Sequence, residues 1–214
     1  LYCSVDAPTK EMLKEVDKPL FTDFWERMLL SLDYLAQKKQ RTCIRLTMIK
    51  GVNMNHLDKY AELIKRGSPD FIEVKAYMHV GPAMQRLSKE NMPLHEEVIV
   101  FSKELVKMLP DYEIVSEHIA SRVVMFAKKK YKVDGVWKTW IDFPKFHELY
   151  HEYLKTGTEF TSDDYMMETP QVGLSGKGTL HAMPEDKRKR YLAEHPEAHV
   201  FVDEKTQELS FYEE

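Results

Sequence analysis

The stretch Arg41-Thr-Cys-Ile-Arg-Leu-Thr-Met-Ile-Lys-Gly-Val-Asn53 decides the fold. Its Ile44, Leu46 and Met48 alternate with Arg45 and Thr47, the period of a strand with one apolar and one polar face. Two other stretches repeat the pattern. In Leu1–Asp6, Leu1, Cys3 and Val5 alternate with Tyr2, Ser4 and Asp6; in Asp70–Tyr77, Ile72, Val74 and Ala76 alternate with Phe71, Glu73, Lys75 and Tyr77. Between the first two strands, Trp25, Met28, Leu29, Leu32, Leu35 and Ala36 fall at helical spacing within Thr22–Lys38, with Thr22 as N-cap. Between the second and third, Leu57, Tyr60, Ala61 and Ile64 form the stripe of a helix over Asn55–Arg66 that Gly67 stops. The order β-α-β-α-β requires parallel strands joined by right-handed crossovers.

A strand of a flat doubly wound sheet is covered by helices on both faces and reads as a nearly continuous apolar run. These strands instead carry hydroxyls and charges on one face, as a barrel with a roomy, ligand-filled lumen requires, because a charge buried under a helix without a partner costs several kcal/mol. The expected fold is α/β, the C-terminal half of a barrel. Its candidate site is the polar face of Ser4, Asp6, Arg45, Thr47, Glu73 and Lys75, continued at the strand C-termini by Lys50, Asn53 and Tyr77. Arg45 with Glu73, or Asp6 with Lys75, also read as structural ion pairs. Lys75 and Lys50 read either as Schiff-base nucleophiles or as cations that bind a carboxylate or phosphate.

The second half has a different texture. Pro93–Leu109 reads as a helix, Tyr112–His118 as a strand, and Val123–Val133 with Val136–Asp142 as a hairpin around Asp134-Gly135, followed by a helix over Phe146–Leu154. After Gly157 the pattern dissolves, which divides the chain into a half-barrel (1–90), a helix-and-hairpin segment (91–156) and an irregular extension (157–214). Glu117-His118 reads as an acid/base pair or a hydrogen-bonded corner. Lys128, Lys129 and Lys130 lie among Phe126, Tyr131, Trp137 and Trp140, a mixture of charge and flat rings suited to RNA, or else a solvated strand face. His95-Glu96-Glu97 lacks the second histidine of a zinc protease motif. Cys3 and Cys43 read as core residues on the helix-covered face, so no metal site is expected within the chain.

Composition sets outer bounds. The 214 residues are 43% hydrophobic and 31% charged, enough apolar material for one ordinary domain with an appended module. No apolar run approaches the roughly 20 residues that cross a bilayer, and the start resembles a strand rather than a signal peptide. A net charge of −4 argues against wholesale electrostatic attraction to nucleic acid, although the stretch from Arg122 to Lys138 is locally basic. Two cysteines in a chain of this length suggest a reducing, cytoplasmic compartment without membrane attachment.

The stretches Leu1–Pro8, Arg41–Asn53 and Pro69–Lys75 together resemble, in order and spacing, the last three core strands of the tRNA 4-demethylwyosine synthases. The resemblance continues through Met92–Val98, Tyr112–His118, Trp137–Asp142 and Asp164-Tyr-Met166 with Thr169-Pro170. It implies a partial (βα)6 radical-enzyme barrel, a C-terminal wyosine-base-formation segment, and, in the full-length enzyme, a [4Fe–4S] cluster and S-adenosylmethionine. The implied reaction belongs to wybutosine biosynthesis: a carbon–carbon lyase condenses N1-methylguanosine of phenylalanine tRNA with pyruvate carbons into the tricyclic base. Ser4 and Asp6 would lie by the adenosylmethionine ribose, with Arg45, Thr47 and Asn53 lining the cofactor site. Glu73, Lys75 and Tyr77 would face substrate or pyruvate, and Lys128–Lys130 with Glu117 and His118 would hold the tRNA.

The chain departs from the family pattern at Ala76, Leu94 and Ile119-Ala-Ser121. It also lacks the Cys-x3-Cys-x2-Cys loop, so the cluster ligands and an electron donor, a flavodoxin-like domain or protein, are expected from outside it. The isolated chain is then expected to be inactive, and a missing N-terminal half would leave a sheet edge prone to aggregation. A non-catalytic tRNA-binding remnant and a Schiff-base lyase in a complete small barrel are the competing readings.

Overall fold

A computed structural model describes residues 1–169 and the backbone of Val200–Val202 and Leu209–Phe211. The three expected strands form at Tyr2–Ser4 (β1), Cys43–Met48 (β2) and Phe71–Ala76 (β3), parallel and in the order β1-β2-β3. Between β1 and β2 the chain makes Lys10–Asp17 (α1), which the periodicity does not announce, and Phe24–Ala36 (α2). Asp23 rather than Thr22 precedes α2, and its carboxylate is turned to the Arg27 guanidinium at 2.8 Å. Leu57–Gly67 (α3) links β2 to β3. Gly67 does not stop that helix but ends inside it, where a Cβ would lie 3.0 Å from Ile44 Cδ1; the left-handed cap is Ser68, at φ 39°. Its small size lets α3 pack closely on β2.

His95–Lys107 (α4) leads to two antiparallel strands, Tyr112–His118 (β4) and Val123–Lys128 (β5). The expected hairpin is corrected here. The long run after Val123 does not pair with the Val136 segment; it pairs with β3 and β4 and completes a five-stranded sheet of order β1-β2-β3-β5-β4. Only Lys132–Val133 (β6) and Val136–Trp137 (β7) form the local hairpin, with Asp134 and Gly135 at φ 52° and 81°, as its two-residue turn demands. The turn signal was local, whereas the sheet's demand for a partner on the edge of β3 is not. Among the described residues the outer edge of β1 is unpaired, while that of β3 is covered.

Trp140–Ile141 (β8) pairs with Met166–Met167 (β9), and Phe143–Thr156 (α5) lies between them. Asp142 caps α5 by accepting from Lys145 N–H at 2.9 Å, and Gly157 ends it at φ 76°. The stretch 158–169, expected to be irregular, is docked: Phe160 and Tyr165 pack edge-on against Phe146. Val200–Val202 (β10) and Leu209–Phe211 (β11) pair antiparallel. The Lys187–Arg190 cluster lies outside the described residues.

One face of the sheet is sealed by α2, α3 and α4 over Ile44, Leu46, Met48, Ile72, Val74, Val124 and Phe126, all at most 1% exposed. Burial of this apolar area drives the packing. Cys3 packs against this core, but Cys43 does not. Lying two residues before Arg45, Cys43 shares the opposite face with Phe71, Val115, Ala127 and Tyr131, correcting the expectation that both cysteines lie under the helices.

Candidate functional site

The strand registers arrange the uncovered face in three rows. At the C-terminal end of the parallel strands, Thr47 opposes Lys75 and Lys75 opposes Val123, which opposes His118; Asp6 follows β1 at the same level and bonds to Thr47. The middle row holds Ser4, Arg45, Glu73, Met125 and Ser116; the lowest holds Tyr2, Cys43, Phe71 and Ala127. Polar groups therefore occupy the end of the sheet where parallel β/α architectures bind ligands, and rings and aliphatic chains occupy the other.

In the middle row Arg45 Nε donates to Glu73 Oε2 at 2.8 Å, and Tyr2 OH donates to Glu73 Oε1 at 3.3 Å. The Arg45 guanidinium also stands 5.3 Å from the Tyr2 ring centre. The Arg45–Glu73 ion pair foreseen from the sequence thus forms, and Tyr2, which sequence reasoning passed over, completes it. Hydrogen bonding to Glu73 holds the Arg45 guanidinium above its already high ordinary value. Burial pushes the Cys43 thiol up to about 12, with the Glu73 charge adding to the effect, so Cys43 stays protonated and inert.

The Asp6–Lys75 pair does not form. Asp6 Oδ1 instead accepts from Thr47 N–H at 3.3 Å. Burial raises its carboxyl above the ordinary value, opposed by the Thr47 hydrogen bonds and the Arg45 charge. Among the described residues Lys75 has no carboxylate within ion-pair distance, and it is half-buried on the site face.

Lys50 and Lys75 are not brought together. Lys50 turns toward α4, where its ammonium meets Glu97 Oε1 at 2.7 Å, while Glu97 Oε2 accepts from Leu94 N–H at 2.7 Å. That contact draws the end of the Lys50 side chain away from the row of Thr47 and Lys75. Asn53 is fully buried, and its amide is spent inside the protein. Nδ2 donates to Asp6 O and Thr47 O, both at 2.7 Å, and Oδ1 accepts from Ile49 N–H at 2.6 Å. It ties the ends of β1 and β2 together and offers nothing to a ligand. Tyr77, 5% exposed, shares a hydrogen bond of 3.3 Å with His79 Nδ1.

Glu117 and His118 part company. Glu117 reaches the buried His95 of α4, Oε2 to Nε2 at 2.8 Å, on the helix-covered side, whereas His118 is exposed on the site face. The basic stretch lies at the other end of the sheet, because β5 runs antiparallel to β3 and Ala127 opposes Phe71, the first residue of β3. Its charges are largely engaged as well. Lys128 donates to Ser68 O at 2.7 Å, Lys130 pairs with Asp70 at 3.0 Å and Lys132 with Glu113 at 2.9 Å. Of Lys128, Lys129 and Lys130, only Lys129 has no such partner among the described residues. These lysines are therefore a strand length from the C-terminal rim.

No group of three His, Cys, Asp or Glu side chains among the described residues is placed to hold a metal ion, and Cys3 and Cys43 lie on opposite faces of the sheet. No helix among them is long and apolar enough to cross a membrane.

A family model described as wyosine base formation matches residues 66–128, from the end of α3 through β5. The chain is 48% identical over 191 residues to the S-adenosyl-L-methionine-dependent tRNA 4-demethylwyosine synthase TYW1 of Danio rerio, a match that covers 88% of this chain and 26% of that protein. The corresponding synthase of Arabidopsis thaliana is 48% identical over 179 residues, covering 82% of this chain and 27% of that protein. The chain thus spans about a quarter of the length of these relatives. Among solved structures, that of TYW1 with a lysine-pyruvate adduct bound superposes with a TM-score of 0.55 at 35% identity, covering 63% of this chain and 42% of that one.

Proposed function

The chain belongs to the tRNA 4-demethylwyosine synthase family, and from that premise we propose that its polar sheet face is part of a radical S-adenosylmethionine site that builds the tricyclic base on tRNA. The observation that carries the reading is the row Asp6, Thr47 and Lys75 above the Arg45–Glu73 pair, all on the uncovered face of parallel strands. The substrates of the reading are N1-methylguanosine of phenylalanine tRNA and pyruvate, and the setting is cytoplasmic. An electron donor, in a flavodoxin-like domain or protein, belongs to the same reading.

The residues fit adenosylmethionine. Asp6 is engaged by Thr47 alone among the described residues, with Oδ1 accepting its N–H at 3.3 Å, which leaves acceptor capacity for ribose hydroxyls near Ser4. Arg45 bonds Glu73 through Nε, and its two terminal nitrogens make no hydrogen bond among the described residues, which suits a carboxylate. Adenosylmethionine, when bound, supplies the one-electron chemistry of the class. The chain's own groups orient it, and the helix-packed core behind the sheet holds the strands that carry them in place. The residues do not fit a [4Fe–4S] cluster, since Cys3 and Cys43 are separated by the sheet, and the cluster ligands are assigned to sequence outside this chain.

Lys75 is the better placed of the two candidate lysines, because Lys50 is occupied by Glu97. It serves either as the nucleophile toward the pyruvate carbonyl or as the cation that holds the pyruvate carboxylate. Borohydride reduction with labelled pyruvate separates these roles: label on Lys75 makes it the nucleophile, and its absence leaves the anion-binding role. The function itself is tested by expressing the natural gene that encodes this chain in cells without the synthase and analysing tRNA nucleosides by mass spectrometry. The tricyclic base should appear, and its yield should fall at least tenfold in Arg45→Ala. Unconverted N1-methylguanosine with the native sequence would sink the proposal.

A further inference from the structure

A single extra residue in β4 decides which side chain borders the site. In unbroken alternation from Tyr112, the residues Glu113, Val115 and Glu117 would share the site face, and Ile114, Ser116 and His118 the helix-covered face. The first half obeys: Tyr112 and Ile114 pack with the helix-side core, and Val115 packs in the cluster on the opposite face. The register then slips. Ile114 opposes Phe126 while Ser116 opposes Met125, so Val115 is the extra residue of a β-bulge. Beyond it Glu117 opposes Val124, which is 1% exposed under the helices, and His118 opposes Val123, which in turn opposes Lys75.

The bulge therefore puts an imidazole where a carboxylate would otherwise stand. A carboxylate there would compete for the Lys75 ammonium; Glu117 is instead committed to His95, and Lys75 stays unpaired among the described residues. His118 is exposed and has no hydrogen-bond partner among the described residues, so the fold makes no use of its ring. Val123, half-buried and apolar, forms the floor between the two polar side chains.

We propose that His118 is a substrate-contacting residue, and that it and Lys75 bracket a planar nucleobase lying over Val123. The proposal rests on the reading that this face receives the target base. Two strand spacings of about 4.8 Å set the Lys75 and His118 backbones roughly 10 Å apart, room for a purine with one hydrogen bond at each edge. An ammonium suits the carbonyl and ring-nitrogen acceptors on one edge of guanine, and an imidazole, able to donate or accept, suits the other.

The test measures binding of the full chain to an anticodon stem-loop RNA carrying N1-methylguanosine, and to the same loop with that base removed. His118→Ala should weaken binding of the methylated loop about three- to tenfold, the loss of one hydrogen bond, with little effect on the abasic loop. His118→Gln should keep most of the affinity. Glu117→Ala should lower the melting temperature by releasing His95 but leave the affinity in place, which separates a structural role from a contact. If Lys75→Ala weakens binding while His118→Ala does not, the His118 assignment is wrong and the site stands. An equal loss on the abasic loop overturns the base contact. If neither Lys75→Ala nor His118→Ala changes affinity, the reading of the face itself fails.

Discussion

Replacing Arg41 should loosen the segment after β5 from the five-stranded sheet while leaving the site rim alone. Arg41 lies just before β2, at the end of the sheet opposite Lys75 and His118. Its guanidinium donates to the carbonyls of Thr139 and Trp140, the latter at 2.8 Å, and sits 5.4, 5.4 and 5.5 Å from the ring centres of Phe71, Tyr131 and Tyr165. Bonds from a charged donor contribute about 1.5–3 kcal/mol each, and a partly desolvated cation over a ring about 0.5–2 kcal/mol. Against this stands the cost of burying the charge, visible in the fall of the Arg41 pKa below its ordinary value through desolvation. The net expectation for Arg41→Ala is a loss of about 3–4 kcal/mol. Arg41→Lys, with a single ammonium for two carbonyls, should cost about 1–2 kcal/mol. Urea unfolding gives the totals, and hydrogen exchange shows where they act. The amides of Thr139, Asp142 and Thr169, bonded to Thr169 Oγ1, Tyr165 O and Trp137 O, should lose protection before those of β2 and β3. Stability within about 0.5 kcal/mol of the native chain, with unchanged exchange, would refute the reasoning.

Asn53→Ala should cost about 3 kcal/mol in urea unfolding, because it strands the buried Ile49 N–H and leaves the carbonyls of Asp6 and Thr47 unmet; a loss below about 1 kcal/mol would show that water replaces the amide. Asp17 is raised to about 6 by burial, with repulsion from Asp6 adding and Arg86 opposing. A carboxyl whose folded pKa exceeds its unfolded value binds more protons when folded, so this group's contribution to stability is lost as pH rises from about 4 to 6. Asp17→Asn should remove that slope and raise the melting temperature at pH 7 by about 1–2 °C, a small figure because the group is substantially solvent-screened. A melting temperature that falls at pH 7, or a slope that persists in thermal scans between pH 4 and 6, counts against it.

The parallel strands and the polar face were legible because a period of two leaves the same trace wherever a strand is covered on one side only. Cys43 was legible by the same count, two residues back from Arg45, and was misplaced by grouping it with Cys3. The remaining discrepancies have nonlocal causes. The Asp134-Gly135 turn announced a hairpin correctly, but nothing near Val123 records that β3 has an open edge waiting for it. Lys50 looked free because its partner Glu97 belongs to a helix on the far side of β3 in sequence, and Asn53 looked available because its three partners are backbone groups. The basic stretch looked like an RNA surface because sequence displays its lysines without Ser68, Asp70 and Glu113. Helix α1 spans only eight residues and buries only Leu13, too little for periodicity to register.

The bulge at Val115 belongs to a different class of hidden feature. No glycine or proline marks it, and it changes no residue's identity, yet it reverses the facing of everything that follows in β4. Without it, Ser116 rather than a carboxylate would oppose Val124 and face His95 of α4, and Glu117 would stand beside Lys75. Two demands thus agree on one inserted residue: the buried imidazole of His95 needs an acceptor, and Lys75 needs freedom from a carboxylate. The antiparallel pair β4–β5 then does more than close the edge of β3. It widens a three-strand polar face by two strands, adding an apolar floor at Val123 and a polar border at His118, as accommodation of a nucleobase rather than a small acid alone requires.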